Sequence, residues 1–152
     1  MAKKTFTKSD NDVSNSFGNY FELSECAKFC LKKAETEKDN STNWLLSYTM
    51  LSALSIEVCM KRILFENNIA FELTHNLVTL FQLLPPSVQK DVKGAYTIRR
   101  DQNIDIIDNF DDLLQEISNN FVETRYITKD LSCTGLYPEY NQLLMEIFLE
   151  IM

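Results

Sequence analysis

The chain has 152 residues, of which 45% are hydrophobic and 24% are charged, and these are ordinary values for one globular domain. Only three Gly and three Pro are present, which disfavours an all-β fold with many turns and a Gly-rich nucleotide-binding loop. The single His excludes metal sites that need two, such as H-E-x-x-H or a Cys₂His₂ zinc finger. Composition therefore indicates a helical, cytoplasmic domain.

The formal net charge of −7 argues against a nucleic-acid binder with a broad basic face. The acidic excess concentrates where a late helix is expected to open, at Asp101, Asp105, Asp108, Asp111, Asp112 and Glu116. Acids stabilise a helix N-terminus and its solvated face, which is the interpretation we favour, and metal ligation is the alternative. We expect no metal site and no cofactor.

The cysteines and the apolar segments indicate a cytoplasmic protein without a membrane span. The spacing of the cysteines fits no zinc template, which predicts small, buried, reduced thiols at Cys26, Cys30, Cys59 and Cys133. Residues 1–15 lack the apolar run of a secretory signal. The most apolar stretch, 44–65, contains Glu57, Lys61 and Arg62, which a membrane span would disfavour.

Taken in chain order, the elements predict a loose polar lead-in over 1–17 and one domain over 18–152. Apolar residues recur at the helical period in six segments, 20–38, 43–67, 74–84, 87–99, 104–126 and 139–152. The adjacent Pro85 and Pro86 end the third helix sharply. Few runs alternate at period two, so we predict an all-α bundle of five or six helices and no sheet.

The second helix is apolar on every face, which predicts that it is the central and most buried one. Glu57 and Lys61 lie four residues apart in it and can form an ion pair on one face. We favour a helix edge that reaches water, with Lys61 extending its charge to the surface. The alternative is a buried carboxylate, which would have to be paired.

Two further polar residues stand out. His75 is expected on the first turn of the third helix, where the amide dipoles favour a neutral imidazole that donates and accepts hydrogen bonds. It either caps or bridges neighbouring helices, or takes part in chemistry. Arg125 lies four residues after Phe121 and continues the apolar stripe of the fifth helix. It is either a lid at the rim or a buried partner for a carboxylate. We expect Arg125 to be at least half buried and to pair with Glu57.

Three segments in this order resemble the HEPN (higher eukaryotes and prokaryotes nucleotide-binding) domain family: the helix over 51–64, the start Thr74-His75-Asn76-Leu77, and the pair Arg125-Tyr126. The resemblance extends from about Phe21 to the C-terminus. It implies an antiparallel helical bundle, often dimeric, of the kind found in prokaryotic toxin–antitoxin and antiviral systems and beside nucleotidyltransferases.

Many HEPN proteins are metal-independent endoribonucleases with an R-x4-6-H motif, in which Arg stabilises phosphate charge and His handles protons. This chain departs from the motif, because an Arg that matched His75 would stand at 68–70, where the residues are Asn, Ile and Ala. We therefore expect a non-catalytic HEPN-like domain that binds a nucleotide, RNA or a protein partner. Its binding or structural polar cluster would contain Glu57, Lys61, His75, Arg125 and Tyr126.

Two alternatives remain open. One is a divergent endoribonuclease that uses Arg125, Tyr126, His75 and Glu57, for which proximity of His75 to Arg125 is the discriminating observation. The other is a purely structural homodimer, because the last helix is apolar to residue 152 and must pack against its own core or a second copy. The expected partners are a second copy of the chain and possible nucleotidyltransferase, RNA or nucleotide ligands, with no membrane.

Overall fold

The computed structural model describes residues 5–6, 19–102, 109–125 and 136–152, and only the backbone of Thr5, Phe6 and Arg125. In this part of the chain the six α-helices are α1 Tyr20–Thr36, α2 Ser41–Glu66, α3 Leu77–Leu83, α4 Pro86–Arg100, α5 Phe110–Arg125 and α6 Pro138–Ile151. One turn of 3₁₀ helix, Lys38–Asn40, joins α1 to α2. The predicted all-α class is confirmed.

The centre of the fold is α2, whose 26 residues span roughly 39 Å. It packs against α1, α3, α5 and α6. Its side chains at Tyr48, Ala53, Ile56 and Met60 are completely buried, and the prediction of a central, buried helix is confirmed. The carbonyl of Tyr20 accepts a hydrogen bond of 2.7 Å from Ser55 Oγ, which fixes α1 along α2.

Buried polar contacts set the position of α6 on α2. Asn141 Nδ2 donates to Ser52 Oγ at 2.8 Å and to the Thr49 carbonyl at 3.2 Å, and the Tyr48 hydroxyl donates to the Pro138 carbonyl at 3.0 Å. The apolar face of α6 lies in the core, with Leu144, Ile147 and Phe148 fully buried. Of the two interpretations of the C-terminal helix, core packing is therefore confirmed.

The third helix begins later than predicted. Asn76, not Thr74, is its N-cap, because Asn76 Oδ1 accepts a hydrogen bond of 3.0 Å from the Thr79 N–H. Thr74 Oγ1 instead accepts from the Asn76 N–H. The placement of His75 on the first turn of this helix was therefore wrong, since His75 precedes the cap. Asn and Thr are both good caps, and the sequence offers them two residues apart.

The fifth helix also begins later, at Phe110 rather than at 104. Asn109 precedes it, and Asn109 Oδ1 accepts a hydrogen bond of 2.8 Å from the Asp111 N–H. Asp111 and Asp112 lie in the first turn, as the favoured interpretation of the acidic cluster requires. Asp105 and Asp108 lie outside the described residues. Lys93 of α4 pairs with Asp111 at 3.1 Å.

The prediction of no sheet missed one short antiparallel ladder. Strand β1, Thr5–Phe6, pairs with β2, Phe71–Glu72, in the register Thr5↔Glu72 and Phe6↔Phe71. Two-residue strands are too short for an alternating pattern to appear in the sequence. The remainder of the lead-in, 1–4 and 7–17, lies outside the described residues, so its looseness stays a prediction. None of the described helices is long and apolar enough to cross a membrane.

The thiols differ from the prediction at one position. Cys30 and Cys59 are buried, as expected, but Cys26 is exposed. Four residues advance a helix by about 400°, so Cys26 is rotated by about 40° from Cys30, enough to place it at the edge of the buried face of α1. Burial raises the pKa of the Cys59 thiol to about 12. Cys133 lies outside the described residues.

Candidate functional site at Glu57

The carboxylate of Glu57 lies between two nitrogen atoms. Glu57 projects from α2, and its side chain is only 3% exposed. Its Oε1 accepts a hydrogen bond of 2.5 Å from Lys61 Nζ, one turn further along the same helix. Its Oε2 lies 2.9 Å from His75 Nδ1, in the segment between β2 and α3. We call these three residues the Glu57 cluster.

The prediction that Glu57 and Lys61 lie at an edge of α2 that reaches water is wrong, because the Lys61 side chain is only 6% exposed. The Arg62–Glu66 pair gives the contrast on the same helix. It has the same spacing and the same 2.5 Å separation, but its side chains are 33% and 49% exposed. Because the face of α2 that carries Glu57 and Lys61 is buried, this pair lies inside the fold, where each charge depends on the other.

The segment that carries His75 is held by two helices. The Leu77 N–H donates a hydrogen bond of 3.1 Å to Ser118 Oγ of α5. The imidazole ring meets the Phe121 ring edge to face, with centroids 6.1 Å apart. His75 therefore joins the β2–α3 connection to α2 through Glu57 and to α5 through Phe121. This contact agrees with the structural alternative for His75, in which it bridges neighbouring elements of the fold.

In a neutral His75, the hydrogen-bond partner of Nδ1 determines which of the two ring nitrogens holds the hydrogen. An ionised carboxylate only accepts hydrogen bonds, so Nδ1 holds the hydrogen and Nε2 keeps a lone pair. The His75 side chain is 45% exposed, and no group in the described part of the chain hydrogen-bonds to Nε2. An imidazole oriented in this way can accept a proton from a neighbouring molecule.

The other two members of the predicted cluster lie partly or wholly outside the described atoms. Arg125 ends α5 one turn after Phe121, but its side chain and all of Tyr126 are not described. The Arg125–Glu57 pair therefore stays a prediction. The described guanidinium groups of three other arginines each contact a carboxylate: Arg62 with Glu66, Arg99 with Glu146 and Glu150, and Arg100 with Asp101.

A surface that the sequence did not single out lies where α1 meets the start of α2. Phe29 is 55% exposed, and its ring contacts the Trp44 ring edge to face, with centroids 6.1 Å apart. Trp44 Nε1 donates to Glu37 Oε2 at 2.9 Å, and Lys33 Nζ lies 5.7 Å from the centre of the Phe29 ring. The sequence does contain a sign of this surface, because Phe29 lies off the apolar stripe of its helix, where folding does not need a large apolar residue.

No family model, no curated protein and no solved structure matches the chain.

Proposed function

We propose that this protein is a non-catalytic HEPN-like helical domain that acts by binding protein, and that a second copy of the chain binds to its α1–α2 face. We define this face as the outer surface of α1 and of residues 41–56 of α2. The observation that carries the proposal is that large apolar side chains are exposed on a face whose two helical segments together carry no net charge, in a chain whose net charge is −7.

The exposed side chains on this face are of the kind that concentrates at the centres of protein interfaces. Phe29 is 55% exposed and Met50 is 38% exposed, and Trp44 is partly exposed beside Phe29. Aromatic residues and Met are enriched in interface cores, where they bury much apolar area. This composition supports a protein ligand.

The distribution of charge supports a second copy as that ligand. Within α1 three carboxylates balance three ammonium groups: Glu22, Glu25, Glu35, Lys28, Lys32 and Lys33. Residues 41–56 contain no charged side chain. The net charge of −7 is therefore carried by other parts of the chain. Two copies that meet through this face avoid the like-charge repulsion that their other surfaces would produce.

The Glu57 cluster supports the non-catalytic part of the proposal. His75 is committed at Nδ1 to Glu57, and its segment is anchored to α5 through Ser118. The described side chains of Arg62, Arg99 and Arg100 all pair with carboxylates, so they offer no unpaired guanidinium to a phosphate. Together with the acidic charge, this favours protein over RNA. A prokaryotic toxin–antitoxin or antiviral setting, with a nucleotidyltransferase as a further partner, belongs to the same proposal.

Sedimentation equilibrium tests the self-association. We expect the wild-type protein to be a dimer at micromolar concentration and Phe29→Asp to be a monomer with an unchanged far-UV circular dichroism spectrum. The matched control is Ile98→Asp, because Ile98 of α4 is also a large apolar residue and is 65% exposed. The control should remain dimeric. A monomeric wild-type protein, or equal effects of the two substitutions, would contradict the proposal.

A second candidate function is a divergent endoribonuclease, which the free Nε2 and the Glu57-held Nδ1 of His75 favour. Incubation with a fluorescently labelled single-stranded RNA separates the two. We expect no cleavage above background from the wild-type protein. Cleavage that disappears in His75→Ala, and that falls in Glu57→Gln, would establish the enzyme and would overturn the non-catalytic proposal. Cleavage that survives both substitutions would indicate a contaminating nuclease.

A further inference from the structure

The His75 ring is fixed on one side and open to solvent on the other. Its Nδ1 lies 2.9 Å from Glu57 Oε2, and the Phe121 ring meets it edge to face. The His75 side chain is 45% exposed, and no group in the described part of the chain hydrogen-bonds to Nε2. The structure therefore presents the lone pair of a fixed imidazole to solvent, and such a nitrogen can act as a nucleophile.

The Glu57 cluster stabilises a ring that has gained a group at Nε2. A new bond at Nε2 turns the imidazole into a cation that still carries its hydrogen on Nδ1. Glu57 Oε2 accepts that hydrogen, and a hydrogen bond strengthens when its donor becomes charged. Lys61 Nζ contacts Oε1 and leaves Oε2 to the ring. The Glu57 side chain is only 3% exposed, so water screens its attraction for the cation weakly.

We propose that His75 Nε2 accepts a phosphoryl group from a small phosphoryl donor. In this step the Nε2 lone pair forms a bond to phosphorus while the bond from phosphorus to the leaving group breaks. The leaving group departs with the electron pair of that bond, and Nδ1 keeps its hydrogen against Glu57. The step needs one nucleophile, whereas RNA cleavage also needs a group that protonates the leaving oxygen and a cation that holds the phosphate.

The exposure and charge of the site favour a phosphoryl group from a small donor over other groups. Water quickly removes an acyl group from an exposed imidazole, whereas the negative charge of a phosphoryl group repels hydroxide. The open position also lets water solvate the phosphoryl oxygens. A small donor meets less repulsion from the net charge of −7 than a nucleic acid would, because it carries far fewer charges. The step uses groups of one chain, so it does not depend on the proposed dimer.

Potassium phosphoramidate is the probe, because it transfers a phosphoryl group to histidine in water. Its phosphorus–nitrogen bond breaks and ammonia leaves. Mass spectrometry of the intact wild-type protein follows the reaction at slightly alkaline pH. We expect one phosphoryl group per chain, stable to alkali and lost in acid. The rate should be about tenfold above that of N-acetylhistidine, because the charge-assisted hydrogen bond to Glu57 stabilises the forming cation. His75→Gln should remain unlabelled.

Two double variants on α2 separate the effect of Glu57 from a general effect of charge. Glu57→Gln/Lys61→Met removes the buried pair and should be labelled at the rate of N-acetylhistidine. The matched control Arg62→Met/Glu66→Gln removes the exposed pair and should be labelled at the wild-type rate. Circular dichroism shows whether each variant is folded. If the first variant is unfolded, the wild-type protein in urea gives the same comparison, with N-acetylhistidine in the same urea as the reference.

NMR identifies the labelled nitrogen, because phosphorus couples differently to the ring hydrogens when it is bound to Nε2 or to Nδ1. We expect the Nε2 isomer alone. Labelling at Nδ1, a label that persists in His75→Gln, or a wild-type rate equal to that of N-acetylhistidine would overturn the inference. Equal rates in the two folded double variants would overturn it as well, since Glu57 would then not assist the transfer.

Discussion

Two ion pairs on α2 allow the effect of burial on a charge to be separated from the effect of geometry. Glu57–Lys61 and Arg62–Glu66 share a spacing of four residues and a separation of 2.5 Å. The first pair is almost completely buried, and the second is largely in water. Water screens the exposed pair and solvates each partner when the other is removed. In the buried pair, each partner replaces the solvation that the other has lost.

Removal of one charge from the buried pair should therefore destabilise the fold strongly. We expect Lys61→Met or Glu57→Gln to lower the free energy of unfolding by about 3–5 kcal/mol, because the remaining charge stays buried without its partner. The double variant Glu57→Gln/Lys61→Met should recover part of this loss, since no unpaired charge remains. Urea denaturation followed by circular dichroism measures all three free energies.

The control for this cycle is Glu66→Gln, which removes a carboxylate at the same spacing and separation on the same helix. It should cost about 1 kcal/mol or less, because both partners are accessible to water. If Glu57→Gln and Glu66→Gln cost the same, or if the losses in the double variant are simply additive, then the Glu57–Lys61 pair is not coupled in the way its burial requires.

The buried thiol of Cys59 makes stability depend on alkaline pH. Burial raises its pKa to about 12 in the folded state, from 9.0 for an ordinary thiol. The folded state then holds this proton more tightly than the unfolded state, so the contribution to stability is complete below pH 9 and is lost between pH 9 and 12. The slope from this one group is at most about 1.4 kcal/mol per pH unit. Burial raises the pKa of Tyr48 in the same direction.

Unfolding free energies measured in urea between pH 8 and 11 check this dependence. Cys59→Ala removes the titrating group and should give a shallower fall in stability at alkaline pH than the wild-type protein, although it leaves a cavity and lowers stability at neutral pH. An identical slope in the two proteins would show that Cys59 does not titrate in this way.

At the level of elements, the periodicity of apolar residues predicted the helices but not where two of them begin. The signal for α2 is strong because apolar residues continue through 26 positions. The start of α3 depended on a choice between Thr74 and Asn76, which are both good caps. The start of α5 depended on the turn at Asn109, whose side chain holds the Asp111 N–H. In each helix one side-chain hydrogen bond determines the first residue, and the periodicity of apolar residues does not reveal that hydrogen bond.

The cap of α3 can be tested by substitution. Asn76→Ala should lower the free energy of unfolding by about 1 kcal/mol, because the Thr79 N–H loses its acceptor. Hydrogen exchange gives a local measurement: the Thr79 amide should exchange faster in Asn76→Ala and at an unchanged rate in Thr74→Ala. Faster exchange in Thr74→Ala instead would mean that the helix begins where the sequence first indicated.

For the whole molecule, the sequence identified the members of the Glu57 cluster but not how they meet. Glu57 and Lys61 were predictable as a pair, since both lie on one face of a helix. The contact between Glu57 and His75 joins residues 18 positions apart, across the end of α2 and the β2 turn, and no local pattern encodes it. The burial of Lys61 was missed for the same reason, because the segments that cover it come from elsewhere in the chain.

The charge of the whole molecule gives a prediction for the dimer. Two copies with a net charge of −7 repel each other, while the two helical segments of the proposed interface together carry no net charge. Added salt screens the repulsion, since the Debye length falls from about 10 Å at 0.1 M to about 3 Å at 1 M. The dissociation constant measured by sedimentation should therefore decrease as NaCl is raised. An increase would mean that ion pairs, rather than apolar contacts, hold the two copies together.

The burial of the Glu57 cluster also constrains how this sequence can diverge. A lineage that first loses Lys61 or Glu57 passes through a destabilised intermediate, whereas Arg62 and Glu66 can change independently at little cost. In a set of related sequences, positions 57 and 61 should therefore vary together, as a charged pair or as two uncharged residues. A histidine at position 75 should occur together with a carboxylate at position 57, because the imidazole contacts that carboxylate. Positions 62 and 66 should show no such correlation.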